Sequence, residues 1–177
     1  MNSKFILPYL LFTIVFVSCK KEKTDNQIES EEKSKTFDVT LNMVVSQDDN
    51  FQIFYIDGSN QDFDENKSLW VSVKGSLEPQ DIIFNLPEDV IPSNIRLDLG
   101  NNENQSAMKL NSFKMSYYDK SYELKDTLIL RNFVIGEQLN YDKTTSTLTP
   151  NKGKATIYDP LLYPQSNLRE EIEKIVK

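Results

Sequence analysis

Residues 36–45 read TFDVTLNMVV, a stretch in which apolar and polar side chains alternate almost without interruption. Alternation with a period of two is typical of a β-strand, because successive side chains of a strand point to opposite faces of its sheet. The pattern therefore predicts a strand that buries one of its faces. The residues on that face are Phe37, Val39, Leu41, Met43 and Val45.

The same alternation recurs along the chain, and the breaks between the alternating segments are rich in turn-forming residues. The further predicted strands are FQIFYI, LWVSVKG, DIIFNLP, NIRLDLG, MKLNSFKMSYY, DTLILRNFVI and KATIYDP, with breaks such as DGSN, LEPQD, GNNEN and TPNKG. Short strands at this spacing predict an all-β fold. We expect a two-sheet antiparallel sandwich of the jelly-roll or galactose-binding-like type over residues 36–164.

The last residues, 165–177, have helical rather than strand periodicity. Asn167 is the expected N-cap, with Glu170 three residues later. The predicted apolar face consists of Leu168, Ile172, Ile175 and Val176. The sequence therefore predicts a short C-terminal helix after the sandwich.

Two features of the composition limit the catalytic mechanisms, metal sites and partners that this chain could have. The chain contains no His and a single cysteine, Cys19. Ser-His-Asp and Cys-His nucleophiles and His- or Cys-bound zinc are therefore excluded within this chain. The formal net charge of −7 argues against a nucleic-acid partner, because phosphate recognition needs a basic patch. Nothing in the sequence marks a catalytic carboxylate, so we predict a protein that is not an enzyme and has no cofactor, except for calcium as discussed below.

The beginning of the chain is typical of a bacterial lipoprotein signal. The apolar run at residues 5–17 is shorter than the roughly 20 residues that a membrane-spanning helix needs. It leads into FVSC at residues 16–19, which resembles a lipobox, in which the cysteine becomes the lipidated N-terminus. We predict a signal peptide at residues 1–18 and lipidation of Cys19, with an ordinary secretory signal as the alternative.

The segment after the signal, residues 19–35, is polar and charged and predicts a disordered tether. Acyl chains on Cys19 would hold the protein on a membrane. By resemblance to lipoproteins of Gram-negative bacteria, Lys20 after the cysteine implies the outer membrane. The sequence leaves open whether the domain faces the periplasm or the exterior.

Four segments together resemble a known module. They are similar to the β-sandwich, carbohydrate-binding-module-like domains attached to bacterial membrane glycosyltransferases and other cell-surface polysaccharide proteins. The matching positions are Gln52, Phe54 and Tyr55; Asp57, Gly58, Phe63 and Glu65; Arg96, Asp98 and Gly100; and Asp159 with Pro160. Two departures are Leu99, where the module usually has Pro, and a longer loop after Tyr55. The resemblance covers about residues 37–164 and implies a sandwich fold in a cell-envelope glycan context.

Five residues are candidates for glycan binding, and each has a structural alternative. They are Tyr55, Asp57, Trp70, Arg96 and Asp98. The neighbours of Trp70 take the core face, so Trp70 should project outward, either to stack on a sugar ring or to cover the sheet. Arg96 and Asp98 share one face of a strand, where they could grip sugar hydroxyls, form a structural ion pair or anchor the loop at residues 57–66.

That loop also carries acidic residues that suit calcium, a hard ion that takes six to eight oxygen ligands. Asp57, Asp62 and Asp64 are the candidates, although the segment fails the EF-hand pattern because Lys67 occupies the glycine position. The alternative is a solvated turn, since Asp, Asn and Gly are common turn residues.

The sequence thus favours a lipid-anchored, non-enzymatic module that binds or helps to assemble an envelope glycan. The alternative is a structural lipoprotein that docks on an envelope protein. A glycoside hydrolase that uses paired carboxylates is a third and less favoured hypothesis.

Overall fold

The computed structural model of the protein describes residues 35–58, 62–153 and 155–177, and these belong to one compact unit. The predicted signal peptide, Cys19 and the tether before Lys35 lie outside the described residues.

Eleven strands and one α-helix make up most of the described chain. In chain order they are β1 (Phe37–Val45), β2 (Asp49–Ile56), β3 (Ser68–Val73), β4 (Ser76–Asn85), β5 (Asn94–Asp98), β6 (Met108–Tyr117), β7 (Lys120–Lys125), β8 (Phe133–Ile135), β9 (Leu139–Asp142), β10 (Thr147–Pro150), β11 (Leu161–Pro164) and α1 (Ser166–Val176). Two short 3-10 helices, Glu65–Lys67 and Asp126–Arg131, precede β3 and β8.

The strands form two sheets in which paired neighbours are antiparallel. The six-stranded sheet has the order β4-β1-β6-β10-β9, and β7 pairs with the C-terminal half of β6. The five-stranded sheet has the order β3-β2-β5-β11-β8. This arrangement confirms the predicted all-β, two-sheet antiparallel sandwich with a short C-terminal helix.

The core contains the apolar residues that alternate along the strands of both sheets. On β1 the predicted inward residues, from Phe37 to Val45, are fully buried, whereas the residues between them are only half-buried. Ile53 on β2 and Leu97 on β5 are also fully buried. Burying a side chain of this size stabilises the fold by about 1.5–3 kcal/mol, so alternation decides which face of each strand is inward.

Strand β2 departs from this rule because both of its faces are buried. Its outward residues Gln52, Phe54 and Ile56 are only 4%, 3% and 5% exposed. The cross-strand neighbours and the segment that follows β2 cover this outer face, and they form the candidate site described below.

The C-terminal helix begins two residues earlier than its predicted cap implies. Gln165 occupies the N-cap position and Asn167 lies within the first turn. Asn167 instead donates to the backbone carbonyl of Arg131, so the expected capping role was wrong. The predicted apolar face is buried, with Leu168 and Ile172 in the core. Within the described part of the chain, no helix combines the length and apolar character needed to span a membrane.

Candidate functional site

The outer face of the five-stranded sheet brings three of the predicted site residues together. Gln52 on β2 lies opposite Trp70 on β3 and, on its other side, opposite Asp98 on β5. Directly opposed residues of antiparallel strands project to the same face, so Trp70 and Asp98 flank Gln52 on the side away from the core. Phe54 and Arg96 form the neighbouring pair on this face.

Two exposed aromatic side chains lie at opposite edges of this group of residues. Trp70 is 54% exposed at one side, and Tyr163 on β11 is 47% exposed at the other. The ring centroid of Tyr163 lies 5.9 Å from the guanidinium carbon of Arg96. Three strand spacings separate β3 from β11, which is about 14 Å. The set that we call the aromatic face comprises Gln52, Phe54, Trp70, Arg96, Asp98 and Tyr163.

Tyr163 was not among the predicted site residues, although the sequence carries a signal for it. In LLYP the core residue is Leu162, so Tyr163 must take the opposite face by alternation. What the sequence could not supply is the pairing of β11 with β5, which brings Tyr163 beside Arg96.

Arg96 is held from two directions. Its Nε donates to Oδ1 of Asp98 at 2.8 Å, and its Nη2 donates to Oδ2 of the same carboxylate at 2.7 Å. The guanidinium carbon also lies 4.0 Å above the ring centroid of Phe54. Bidentate pairing and stacking each restrict the planar guanidinium, so together they fix its position.

Burial affects the two charges of this pair in different ways. Burial raises the pKa of the Asp98 carboxyl, Arg96 opposes that shift, and the carboxylates of Asp159 and Glu65 add to it. Burial works to lower the pKa of Arg96, but the hydrogen bonds and charge of Asp98 outweigh it and raise this pKa. Arg96 is therefore cationic throughout the physiological range, and its charge lies near the exposed ring of Tyr163.

Gln52 connects the aromatic face to the segment before β3 through two side-chain hydrogen bonds. Its Nε2 donates to Oγ of Ser68 at 2.9 Å and to Oε2 of Glu65 at 3.3 Å. The ring of Phe63 in the same segment lies 5.7 Å from the guanidinium carbon of Arg96. Sequence reasoning placed Gln52 and Glu65 in the resemblance but not in the site, because their contact depends on how this segment folds back over β2.

Two predicted candidates do not belong to this surface. Tyr55 is only 7% exposed and packs in the hydrophobic core, where it lies opposite Ile95. Asp57 forms an ion pair with Lys67, so Lys67, and not Arg96, holds this carboxylate. Among the described residues of the loop, Arg96 contacts the ring of Phe63, and its role as an anchor of the loop stays a prediction.

The acidic residues proposed for calcium are engaged in local contacts where the structure describes them. Oδ1 of Asp64 accepts from the backbone N–H and from Nδ2 of Asn66, at 2.8 and 2.9 Å. Asp62 is exposed. Among the described residues, which leave out positions 59–61, no three His, Cys, Asp or Glu side chains gather as metal ligands would.

Comparison of the chain with models of protein families, with curated proteins and with solved structures found no match. A sandwich fold hosts many unrelated functions, so function has to be argued from the chemistry of the surface itself.

Proposed function

We propose that this protein is a lipid-anchored, non-enzymatic glycan-binding module of the Gram-negative cell envelope, and that the aromatic face is its binding surface. The observation that carries the proposal is the position of Trp70 and Tyr163. Both are about half exposed, and on one sheet face they flank the buried Gln52 and Asp98 and the half-buried Arg96.

Exposed aromatic rings suit sugars because the C–H groups of a pyranose pack on an aromatic face. Specific recognition also needs polar groups in fixed positions. Arg96 provides them, since two of its donors bond Asp98 and the rest of the guanidinium fork remains for sugar hydroxyls. A separation of about 14 Å between the strands of the two aromatics favours a short oligosaccharide segment over a single ring.

The cell-envelope setting comes from the sequence. The predicted signal at residues 1–18, lipidation at Cys19 and the polar tether at residues 19–35 would hold the sandwich close to the outer membrane. The resemblance to carbohydrate-binding-module-like domains points to the same setting. Metabolic labelling with radioactive palmitate tests the anchor, and we expect a Cys19→Ser variant to lose the label.

Titration calorimetry of the full chain against an array of envelope oligosaccharides tests the binding function. For an oligosaccharide that binds, we expect Trp70→Ala to weaken affinity about tenfold or more, since stacking on one aromatic ring contributes on the order of 1.4 kcal/mol. Tyr118→Ala is the matched control, because Tyr118 is 50% exposed but lies in the turn between β6 and β7. Equal loss in both variants, or no binding by a folded protein, would count against the proposal.

A second candidate function, docking on an envelope protein, is favoured by one feature of the same surface. Val134 lies opposite Tyr163 on β8 and is also exposed. Trp, Tyr and Arg are the residue types that dominate protein-interface hot spots. A photo-crosslinker placed at Val134 in native envelopes separates the two: a single protein adduct that survives glycan digestion favours docking, whereas adducts lost on digestion favour glycan binding.

A further inference from the structure

A groove crosses the outer face of the six-stranded sheet, on the opposite side of the sandwich from the aromatic face. It encloses about 490 Å³ and runs over β4, β1, β6 and β7. Its lining is polar apart from Ile83, and no aromatic side chain lines it. The lining therefore offers hydrogen-bonding groups and charges, and no ring on which a ligand could stack.

Three side chains form a hydrogen-bonded row across the floor of the groove. Nδ2 of Asn111 donates to Oδ1 of Asn42 at 2.9 Å, and Nδ2 of Asn42 donates to Oδ1 of Asp81 at 2.6 Å. The row spans β6, β1 and β4, so neighbouring strands fix each amide in one orientation. Each amide nitrogen carries a second N–H, and Oδ2 of Asp81 is a further acceptor. The row is a preorganised template for a ligand with several hydroxyl groups.

An irregularity in β6 places one extra polar side chain in this groove. The pairing of β1 with β6 shifts register beyond Asn42, where Ser112 is paired and Asn111 is passed over. Both Asn111 and Ser112 are half-buried and line the groove, whereas regular alternation would turn one of them inward. Bulges of this kind are common beside binding sites, where they redirect a side chain.

The charges of the groove are arranged unevenly. Lys114 and Lys125 lie on β6 and β7 with Glu123 between them, whereas Asp81 lies on β4 at the far side. Glu123 is 3.6 Å from the Nζ of Lys125, and Lys114 forms no ion pair with the residues that the structure describes. Glu123 is the cross-strand neighbour of Lys114, but the ion pair that its carboxylate forms is with Lys125. This end of the groove thus carries two lysines and one carboxylate, which leaves it one positive charge in excess.

We propose that this groove is a second binding site, for a saccharide that carries a carboxylate, such as a uronic acid. Lys114 would bind the carboxylate, and the row from Asn111 to Asp81 would bind hydroxyl groups. A single negative charge matches one available lysine, while Glu123 and Asp81 disfavour a doubly charged phosphate group. The absence of an aromatic anchor from the lining argues against a protein partner, whose interface core is normally apolar.

Titration calorimetry of the full chain with an oligogalacturonate, and with its methyl ester as a neutral probe, tests this proposal. We expect the acid to bind about tenfold more tightly than the ester, because the ester lacks the charge that Lys114 recognises. Lys114→Gln should remove that preference, so that the acid and the ester bind the variant with similar affinity. Lys109→Gln is the matched control, since Lys109 is an exposed lysine on the same strand outside the groove.

The aromatic face provides the test that keeps the two proposals separate. We expect Trp70→Ala to leave oligogalacturonate affinity unchanged, and Nδ2 resonances of Asn42 and Asn111 to shift on titration with the acid. The groove proposal is overturned if acid and ester bind equally, if neither binds, or if Trp70→Ala abolishes acid binding while Lys114→Gln does not. None of these results decides whether the aromatic face binds a different oligosaccharide.

Discussion

The outer faces of the two sheets differ most at their inner strands, β2 and β1. On β2 the outward residues Gln52 and Phe54 are as buried as the inward ones. On β1 the outward residues Thr40 and Asn42 remain half-exposed, so burial alternates strictly along the strand. One sandwich therefore presents one surface that is covered and largely occupied by its own contacts, and another that is open.

This difference has a chemical consequence. On the aromatic face the charged groups are paired with each other, as in Arg96 with Asp98, so the guanidinium is rigid and only part of its donors remains unused. In the groove the row from Asn111 to Asp81 keeps unused donors and acceptors that face solvent. The two proposals therefore rely on different contacts, which are ring stacking beside a fixed guanidinium on the aromatic face, and hydrogen bonds and charge in the groove.

The largest expected effect is at Gly100, which lies two residues after the end of β5 and packs against Asp49. Its φ is +110°, and a Cβ added there would lie 2.7 Å from the Cγ of Asp49. Asp49 is fixed in place, because its Oδ1 accepts the backbone N–H groups of Asn101 and Asn102 at 2.8 and 3.0 Å. We expect Gly100→Ala to lower the free energy of unfolding by about 3–4 kcal/mol, measured by urea denaturation.

Gly58 is the matched control for this substitution. It also has a positive φ, of +65°, but an added Cβ there meets nothing within 4 Å. Gly58→Ala should lower the free energy of unfolding by about 1 kcal/mol, which is the strain of a positive φ for a residue with a Cβ. If the two substitutions destabilise the protein equally, the side chain of Asp49 moves aside and is not fixed by its hydrogen bonds.

A direct test of the comparison replaces one outward residue on each inner strand. Phe54→Ala should lower the free energy of unfolding by about 3 kcal/mol, because it removes a buried ring and the surface on which Arg96 stacks. Thr40→Ala, at an outward position of β1, should change it by less than about 0.5 kcal/mol. Similar losses measured by urea denaturation would show that the two faces do not differ in the way proposed.

Alternation predicted the inward residues of strands such as β1 and β5, because it depends only on neighbours along the chain. Two predicted strands were wrong: residues 126–131 of DTLILRNFVI form a 3-10 helix, and the described residues of KATIYDP, 155–160, form no strand. It could not predict which outward residues are buried, since Gln52 is covered by Glu65 and Ser68, which reach it through the fold of a loop. The extra residue at Asn111 likewise depends on the register between β1 and β6.

The same limit explains the two residues that sequence reasoning misplaced. Tyr55 was read as a site residue from its motif, although alternation with Phe51 and Ile53 already put it on the core face. Asn167 fitted the local capping pattern, but a tertiary contact with the carbonyl of Arg131 took its side chain instead. In both cases the local sequence motif is present, but the side chain makes a different contact from the one that the motif predicts.

The smallest expected effect on stability comes from the buried hydroxyl of Tyr158, whose pKa is influenced by the charge of Asp49. The Tyr158 hydroxyl has no hydrogen-bond partner among the described residues. Burial, together with the charges of Asp49 and Glu103, raises the pKa of Tyr158 from 10.0 to about 12. The neutral form is therefore favoured in the fold, so its contribution to stability is complete below about pH 10 and is lost as the pH rises through about 12.

Tyr158→Phe removes this titration without removing the ring. At neutral pH we expect the variant to match the original chain or to gain up to about 1 kcal/mol, because an unpaired buried hydroxyl is lost. Between about pH 10 and about pH 12 the original chain should lose stability relative to the variant. Urea denaturation across this range measures the difference, and a difference that does not change with pH would show that the Tyr158 hydroxyl ionises as freely in the fold as in the unfolded chain.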